Sequence, residues 1–200
     1  MRIRRSVRGW GGLAALGCCL ALLLGAADGD EQGFVNLLNG KDLSGWRIGK
    51  NPGGEVLEGK TASSDGRFRA ADGAVVIQGA AKIEDIYTTR EFNKPFTLRL
   101  EFRAEPKANS GLYLRGTQLQ VRDYSSIGPY KDLKTYKTGE WNALEIVVTV
   151  DPSTRASVAR CTCNGELLEA ALKIAEKGGI GLQSETNRIE YRRIRIKEAE

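Results

Sequence analysis

The 200-residue sequence contains no histidine, the residue on which many hydrolytic mechanisms depend. This absence excludes Ser-His-Asp and Cys-His nucleophilic sites and also zinc sites that use imidazole ligands. The sequence also lacks the glycine-rich motif of a phosphate-binding loop that opens a helix. Its 24 glycines instead fit turns between short apolar runs. Most of the usual hydrolase machinery and phosphate-loop nucleotide chemistry are therefore excluded.

The first 27 residues have the features of an export signal. Four arginines precede an apolar run at residues 13–24, and small residues follow it at 25–27. We predict cleavage after Ala27 and export to the periplasm or the medium. Two alternatives stay open. Residues 10–27 are uncharged over about 18 positions, which is the lower limit for a membrane-spanning signal anchor, and Cys18 is a possible acylation site of a lipoprotein.

Removal of this segment leaves a nearly neutral domain. The whole chain has a net charge of +5, and the segment takes away four arginines and no acid, leaving 26 basic and 25 acidic residues. A net charge of +1 gives no general attraction to nucleic acid. Residues 28–200 are sufficient for one domain with one core. We expect a monomer with no nucleic-acid partner and no membrane association after signal cleavage.

Cysteine is also scarce, because only Cys161 and Cys163 remain in this domain. Two residues apart in an extended strand, their Cα atoms are about 6.6 Å from each other, near the upper end of disulfide geometry. Two thiolates are half of a structural zinc set, and no histidine completes it. We predict buried free thiols on one face of a strand. No cofactor is expected.

From Phe34 onward, short apolar runs recur at period two between Gly, Asn, Asp and Pro residues, which predicts an all-β sandwich or jelly roll of two antiparallel sheets. Asp72-Gly73 and Asn164-Gly165 predict tight hairpins. Residues 167–177 have helical propensity and are a candidate for one short helix. The further strand candidates are residues 85–89, 96–104, 111–115, 118–123, 141–150, 179–183 and 189–197.

Three strand candidates alternate apolar and polar residues, so each has one core face and one polar face. The polar positions are Arg99, Glu101, Arg103, Tyr113, Arg115, Gln118, Gln120 and Arg122. If these strands are neighbours in one curved sheet, the polar face forms a groove suited to sugar hydroxyls and ring faces. The alternative is a solvated face held by cross-strand Glu/Arg pairs.

The opening segment FVNLLNGKDLSGW at residues 34–46 resembles the start of a bacterial family formerly called a domain of unknown function. That family is the 3-keto-disaccharide hydrolase, or 3-keto-glucoside lyase/hydratase, domain. The resemblance continues in the family's order through YTTREF (87–92), LRLEFR (98–103), NSGLYLRG (109–116), QVRD (120–123), GEWN (139–142), GIGLQ (179–183) and YRRIRI (191–196).

This resemblance implies a concanavalin A-like jelly roll whose members bind or act on carbohydrate across the concave sheet. It also implies cleavage of 3-keto-glycosides: a ketone at C3 acidifies the C2 hydrogen, a base removes it, and the glycosidic oxygen leaves. The matching positions offer Glu101 or Asp123 as the base and Arg115 as the stabiliser of the enolate. The expected substrate-binding residues are Arg103, Asn109, Tyr113, Gln118, Gln120 and Gln183.

The same segments are compatible with a bound divalent cation, because they contain the oxygen donors Glu101, Asp123, Gln120 and Asn109. No spacing signature requires a metal. The sequence also departs from the family's pattern. Gln118 stands where an acid is expected, and a histidine-containing insert is missing from residues 124–138. Since an amide cannot act as a base, these departures favour the alternative of a glycan-binding module without catalysis.

Several of these residues also have structural explanations. Trp46 and Trp141 are expected to pack in the core or against a sheet. Glu101 is expected to pair with a cross-strand arginine, and Asp123 is expected to stabilise the turn that follows it.

Overall fold

A computed structural model describes residues 32–50, 53–79, 84–128 and 130–200; the predicted export signal at residues 1–27 lies outside them. None of the described segments forms a helix of the length and apolarity needed to cross a membrane. The strands are β1 Val35–Asn36, β2 Trp46–Ile48, β3 Phe68–Ala71, β4 Ala74–Gln78, β5 Ile86–Thr88, β6 Phe96–Ala104, β7 Asn109–Leu114, β8 Thr117–Arg122, β9 Asn142–Val150, β10 Ser157–Cys163, β11 Glu166–Ile174, β12 Ile180–Leu182 and β13 Arg188–Glu198.

These strands form two antiparallel sheets. The eight-stranded sheet has the order β11-β10-β9-β6-β13-β4-β3, and β1 pairs with β13 outside this path. The five-stranded sheet has the order β2-β5-β12-β7-β8. The all-β sandwich of two antiparallel sheets is thus confirmed.

The core lies between the sheets and is built by the alternation of each strand. In β6, Leu98, Leu100 and Phe102 are buried, whereas Arg99 and Glu101, which alternate with them, are only partly covered. Trp46 is also fully buried, and its indole nitrogen donates a hydrogen bond to the Leu37 carbonyl at 2.7 Å. Cys161 and Cys163 face the core as free, fully buried thiols, as predicted.

Both predicted hairpins are present. Asp72 and Gly73 have φ values of 51° and 74°, and Asn164 and Gly165 have values of 48° and 83°. Positive φ at both central residues is the requirement of a type I′ turn. The second hairpin also explains why the helix prediction for residues 167–177 is wrong: its turn returns the chain alongside β10, so residues 167–174 belong to the edge strand β11. The strand pairing between β10 and β11 outweighs the local helical propensity of this segment.

The condition that the three polar strands are neighbours in one sheet is not met. β6 belongs to the eight-stranded sheet, whereas β7 and β8 belong to the five-stranded sheet. The chain crosses between the sheets at residues 105–108, where Ala108 is fully buried. The polar side chains of β6 therefore face solvent on the opposite side of the sandwich from those of β7 and β8.

We expect Asn164→Ala to lower the free energy of unfolding by about 2–3 kcal/mol. The Asn164 side chain accepts a hydrogen bond from Ala143 N and donates to Thr135 O and Asn142 Oδ1, each at 2.8 Å. Asp72→Ala, at the exposed equivalent position of the other hairpin, is the control and should cost about 1 kcal/mol because only the left-handed backbone is strained. Equal losses in urea denaturation would contradict this explanation.

Candidate functional site

The outer face of the five-stranded sheet carries one row of residues that crosses all five strands. In the sheet register, Arg47 of β2 pairs with Tyr87 of β5, Tyr87 with Gly181 of β12, Gly181 with Tyr113 of β7, and Tyr113 with Gln118 of β8. Residues directly opposite each other face the same side of a sheet. These five residues are termed the polar row.

The neighbouring row of the same sheet faces the core, which fixes the outward direction of the polar row. It consists of Ile48, Ile86, Leu182, Leu112 and Leu119. The last four of these are 0–1% exposed. Because successive side chains of a strand point to opposite faces, the polar row points away from the core.

Two tyrosine rings form the centre of the row. A Cβ atom at Gly181 would lie 2.4 Å from Cε1 of Tyr87, so the Tyr87 ring occupies the space above this glycine. The ring centroids of Tyr87 and Tyr113 are 5.5 Å apart, with their planes inclined by 34°. Burial raises the pKa of Tyr113 to about 12, and that of Tyr87 also lies well above its usual range. Both phenols are therefore neutral at physiological pH.

Amide side chains extend the row on the β8 side. Nε2 of Gln118 donates a hydrogen bond to Oε1 of Gln183 at 2.6 Å. This side chain lies over Gly111, where a Cβ atom would be 2.2 Å from Gln118 Nε2. A glycine at position 111 is thus required for the amide pair to lie flat on the sheet.

Two buried acceptors on this face lack a hydrogen-bond partner among the described residues. They are Oε1 of Gln120 and Oδ1 of Asn109. Nε of Arg47, on the polar row, is a buried donor that also lacks a partner among the described residues. A buried polar atom without a partner costs about 1–3 kcal/mol. A ligand that carries hydroxyl groups would supply both the donors and the acceptor that are missing.

A carboxylate that sequence reasoning missed, Asp85, lies beside the tyrosines. Its Oδ1 accepts a hydrogen bond from Ser184 N at 2.9 Å, and the Tyr113 hydroxyl donates to the same carboxylate. Burial raises the pKa of Asp85 despite these hydrogen bonds, and the charge of Glu185 adds to the rise. With Lys50 and Tyr87, Asp85 lines a cleft of about 400 Å³. Such a carboxyl group in a cleft is a candidate for proton transfer.

Arg115 is buried rather than outward-facing, which corrects the alternation-based expectation. It lies in the β7–β8 turn with a φ of 51° and is 3% exposed. Its guanidinium donates hydrogen bonds to the Lys94 carbonyl, to Ser157 Oγ at 3.2 Å and to the Ala175 carbonyl at 3.4 Å. These partners belong to segments around the eight-stranded sheet, so Arg115 links the ends of the two sheets. The cationic residue on the polar row is Arg47.

Asp123 is a turn-stabilising carboxylate with 1% exposure. It accepts hydrogen bonds from Lys107 N at 2.9 Å and from Ser125 Oγ at 2.7 Å. Burial alone would raise the pKa of Asp123, but the hydrogen bonds from Lys107, Ser125 and Ser126 lower it below the usual range. This geometry fits the structural role of Asp123 in stabilising the turn better than the role of a catalytic base.

Glu101 and Arg103 lie on the outer face of the eight-stranded sheet, away from the polar row. Glu101 accepts hydrogen bonds from Arg192 Nε at 2.6 Å and Arg193 Nη1 at 3.0 Å. Burial would raise the pKa of Glu101, but these two arginines lower it. Arg103 pairs with Glu190 at 2.5 Å. The expected cross-strand pairing of Glu101 is thus present.

Five of the nine predicted site residues share the outer face of the five-stranded sheet, and four do not. The residues on that face are Asn109, Tyr113, Gln118, Gln120 and Gln183. The residues elsewhere are Glu101, Arg103, Asp123 and Arg115. Within the part of the chain that the structure describes, no group of three or more Cys, Asp or Glu side chains is arranged to hold a metal ion.

A family model described as the 3-keto-alpha-glucoside-1,2-lyase-like domain matches residues 33–197. Two solved structures from Parabacteroides distasonis, each described as a "putative glycosyl hydrolase", share the fold. One has a TM-score of 0.61 at 16% identity, covering 84% of this chain and 94% of that chain. The other has a TM-score of 0.53 at 19% identity, covering 68% and 92%. No curated protein matches the sequence significantly.

We expect the two aspartates to respond in opposite directions when each is replaced by asparagine. The folded-state pKa of Asp85 is raised, so its ionised form opposes folding, and this penalty develops as the pH rises from the unfolded-state pKa to the folded-state pKa. Asp85→Asn should therefore raise the free energy of unfolding at pH 7, and the gain should vanish below the unfolded-state pKa of about 3.9.

The folded-state pKa of Asp123 is lowered, so its contribution to stability is present above the unfolded-state pKa and is lost as the pH falls through the folded-state value. Asp123→Asn should lower the free energy of unfolding by about 1–3 kcal/mol at pH 7. Urea denaturation at both pH values makes the comparison. A loss of stability in both variants at pH 7 would identify Asp85 as another structural carboxylate.

Proposed function

The chain belongs to the 3-keto-alpha-glucoside-1,2-lyase-like domain family, and we propose that it is an exported protein that binds carbohydrate on the polar row and cleaves 3-keto-glycosides there. The observation that carries this proposal is the arrangement of Tyr87 and Tyr113 beside the unpartnered acceptors of Asn109 and Gln120 and the carboxylate of Asp85. Aromatic faces, hydroxyl acceptors and a proton acceptor are the three elements that such a substrate needs.

Substrate binding follows from the chemistry of the face. The partly exposed Tyr113 ring, which lies beside the buried Tyr87 ring, offers an apolar surface to the C–H face of a sugar ring. Its hydroxyl oxygen, whose proton is donated to Asp85, accepts a hydrogen bond from a sugar hydroxyl. Gln120 Oε1 and Asn109 Oδ1 accept hydrogen bonds from sugar hydroxyls, which removes the penalty of two buried unpartnered acceptors. The Gln118–Gln183 pair borders the ring-binding position.

Cleavage uses the acidity that the C3 ketone confers on the C2 hydrogen. The Asp85 carboxylate accepts the C2 proton, and the electron pair of that C–H bond moves onto the C3 carbonyl to form an enolate. The enolate collapses to a C1–C2 double bond conjugated with the C3 ketone while the C1–O bond breaks with its electron pair on the leaving oxygen. That oxygen takes the proton held by Asp85, and water then adds across the double bond. The raised pKa of Asp85 makes it a stronger base than an exposed aspartate, and Arg47 supplies positive charge for the developing enolate.

One observation favours a second function for the same face, which is carbohydrate binding without turnover. Gln118 replaces the acid expected in the family's central strand and is held in an amide pair with Gln183. A neutral amide neither accepts nor donates a proton in catalysis. The binding contacts are the same in both functions, so they differ only in whether Asp85 transfers a proton.

The test incubates the purified protein with 3-keto-disaccharides and with the unoxidised parent sugars, with and without added divalent metal, and measures products by mass spectrometry. We expect release of sugar from the keto substrates alone. Asp85→Asn should lower kcat at least ~100-fold while sugar affinity is kept. Tyr113→Ala should weaken affinity about 10-fold, equivalent to ~1.4 kcal/mol.

Glu101→Gln is the matched control, because it neutralises a carboxylate on the other sheet and should leave turnover unchanged. Sugar binding with no turnover of any keto substrate would establish the binding module instead. Absence of binding to every sugar tested would show that the polar row is not a carbohydrate site.

A further inference from the structure

The outer face of the eight-stranded sheet is strongly basic, and the proposed sugar reaction does not use it. Its two central strands carry seven outward cations, namely Arg99 and Arg103 on β6 and five between Arg188 and Lys197 on β13. Three outward carboxylates, Glu101, Glu145 and Glu190, lie among them on β6, β9 and β13. The remaining glutamate of these strands, Glu198, pairs with Arg90 at the end of β13. This surface, with an excess of four positive charges, is termed the basic face.

The positive charge is concentrated here rather than spread over the molecule. Residues 28–200 carry a net charge of +1. Because the basic face contributes +4, the other residues of this region together carry a net charge of −3. A charge distribution of this kind attracts an anionic partner to one face and repels it elsewhere.

The guanidinium groups lie above the carboxylates that they pair with. The Glu190 side chain is 8% exposed and bonds both Arg103 and Arg188, whose side chains are 45% and 42% exposed. The Glu101 side chain is 20% exposed and bonds both Arg192 and Arg193. Two arginines thus share each of these carboxylates, and the outermost layer of the face is cationic.

Two local features of the basic face work against stability. Arg99 and Arg195 are directly opposite across β6 and β13, with their guanidinium carbons 5.0 Å and 5.9 Å from the same Phe34 ring. Like charges in directly opposite positions are destabilising, and the ion pair of Arg99 with Glu145 at 2.7 Å offsets part of this effect. Arg193 has a φ of 52° at an irregularity of the β6–β13 register. This bulge directs Arg192 and the next residue, Arg193, to the same carboxylate on the outer face.

We propose that the basic face binds an anionic polysaccharide through its carboxylate or sulfate groups. Arginine has a planar fork of donors that matches carboxylate and sulfate oxygens in pairs, and the face already uses this pairing with its own glutamates. An extended polymer is favoured over a bilayer because the two aromatic rings on the face lie under arginines: Arg192 is 3.9 Å from the Trp141 ring centre, and Arg99 covers Phe34. Neither ring is presented for insertion into lipid.

The test measures binding of the full-length protein to fluorescently labelled polygalacturonate and dextran sulfate, with uncharged dextran as the neutral polymer. We expect both anionic polymers to bind, with affinity falling at least ~10-fold between about 50 mM and about 300 mM NaCl because the contacts are screened. Dextran should show no such salt-dependent binding. The double variant Arg193→Gln/Arg195→Gln should weaken binding at low salt about 10-fold or more.

Four controls accompany the double variant. Lys41→Gln/Lys131→Gln removes the same charge from exposed loops and should change affinity less than about 2-fold. Arg193→Lys retains the charge but not the fork, and should weaken binding by less than the double variant. Urea midpoints verify that every variant is folded. Tyr113→Ala and Asp85→Asn should leave polymer binding unchanged. The anionic-polymer proposal and the proposed sugar site on the polar row are therefore tested independently.

Equal loss in the two double variants would overturn the proposal, because it would show that only the net charge matters. Tighter binding to vesicles of anionic phospholipid or to duplex DNA than to both polymers would also overturn it. Undiminished affinity of Arg193→Gln/Arg195→Gln would place the anion contacts outside the basic face and have the same consequence.

Discussion

The strand register at Gly181 is the constraint on which the candidate site depends. This glycine is the middle residue of the polar row, and a side chain there would collide with the Tyr87 ring. Since side chains in a strand alternate with period two, a slip of one residue in β12 would bring a core leucine or isoleucine beneath the tyrosines. The same requirement recurs at Gly111, which lies under Gln118. Two glycines at fixed register therefore allow large side chains to lie flat across a sheet and form a surface broad enough for a sugar ring.

The second constraint is the division of polar residues between the two outer faces of the sandwich. The face with the polar row presents neutral phenols and amides together with one cation on the row, Arg47, and one partly buried carboxylate, Asp85, beside the tyrosines. The basic face presents arginines over buried glutamates. Because a continuous core separates them, each face can recognise a different chemical group without perturbing the other. In our account the first face selects uncharged sugar rings and the second holds anionic polymer chains.

Much of the fold was predictable from the sequence because it depends on local rules. Period-two alternation identified which side of β6, β7 and β8 is buried, and two dipeptides identified the hairpins. Sheet membership was not predictable in this way, because it depends on where residues 105–108 lead the chain. The burial of Arg115 depends on acceptors at Lys94, Ser157 and Ala175, which are distant in sequence. Asp85 belongs to no motif, and its spacing of two residues from Tyr87 is the one sequence signal that could have placed both side chains on the same face. The rise in the pKa of Asp85 comes from burial that only the folded chain creates.

The central claim is that sugar binds on the five-stranded sheet. It is tested most directly by backbone NMR spectra recorded while a 3-keto-disaccharide is titrated into the isotope-labelled Asp85→Asn variant, which is expected to keep sugar affinity and to lose turnover. Our account predicts that the amide resonances that shift belong to β5, β7, β8 and β12, with the largest changes next to Tyr87, Tyr113 and Gln120. Shifts confined to β6 and β13, around Glu101 and Arg103, would contradict the account, because they would show that the sugar binds on the eight-stranded sheet.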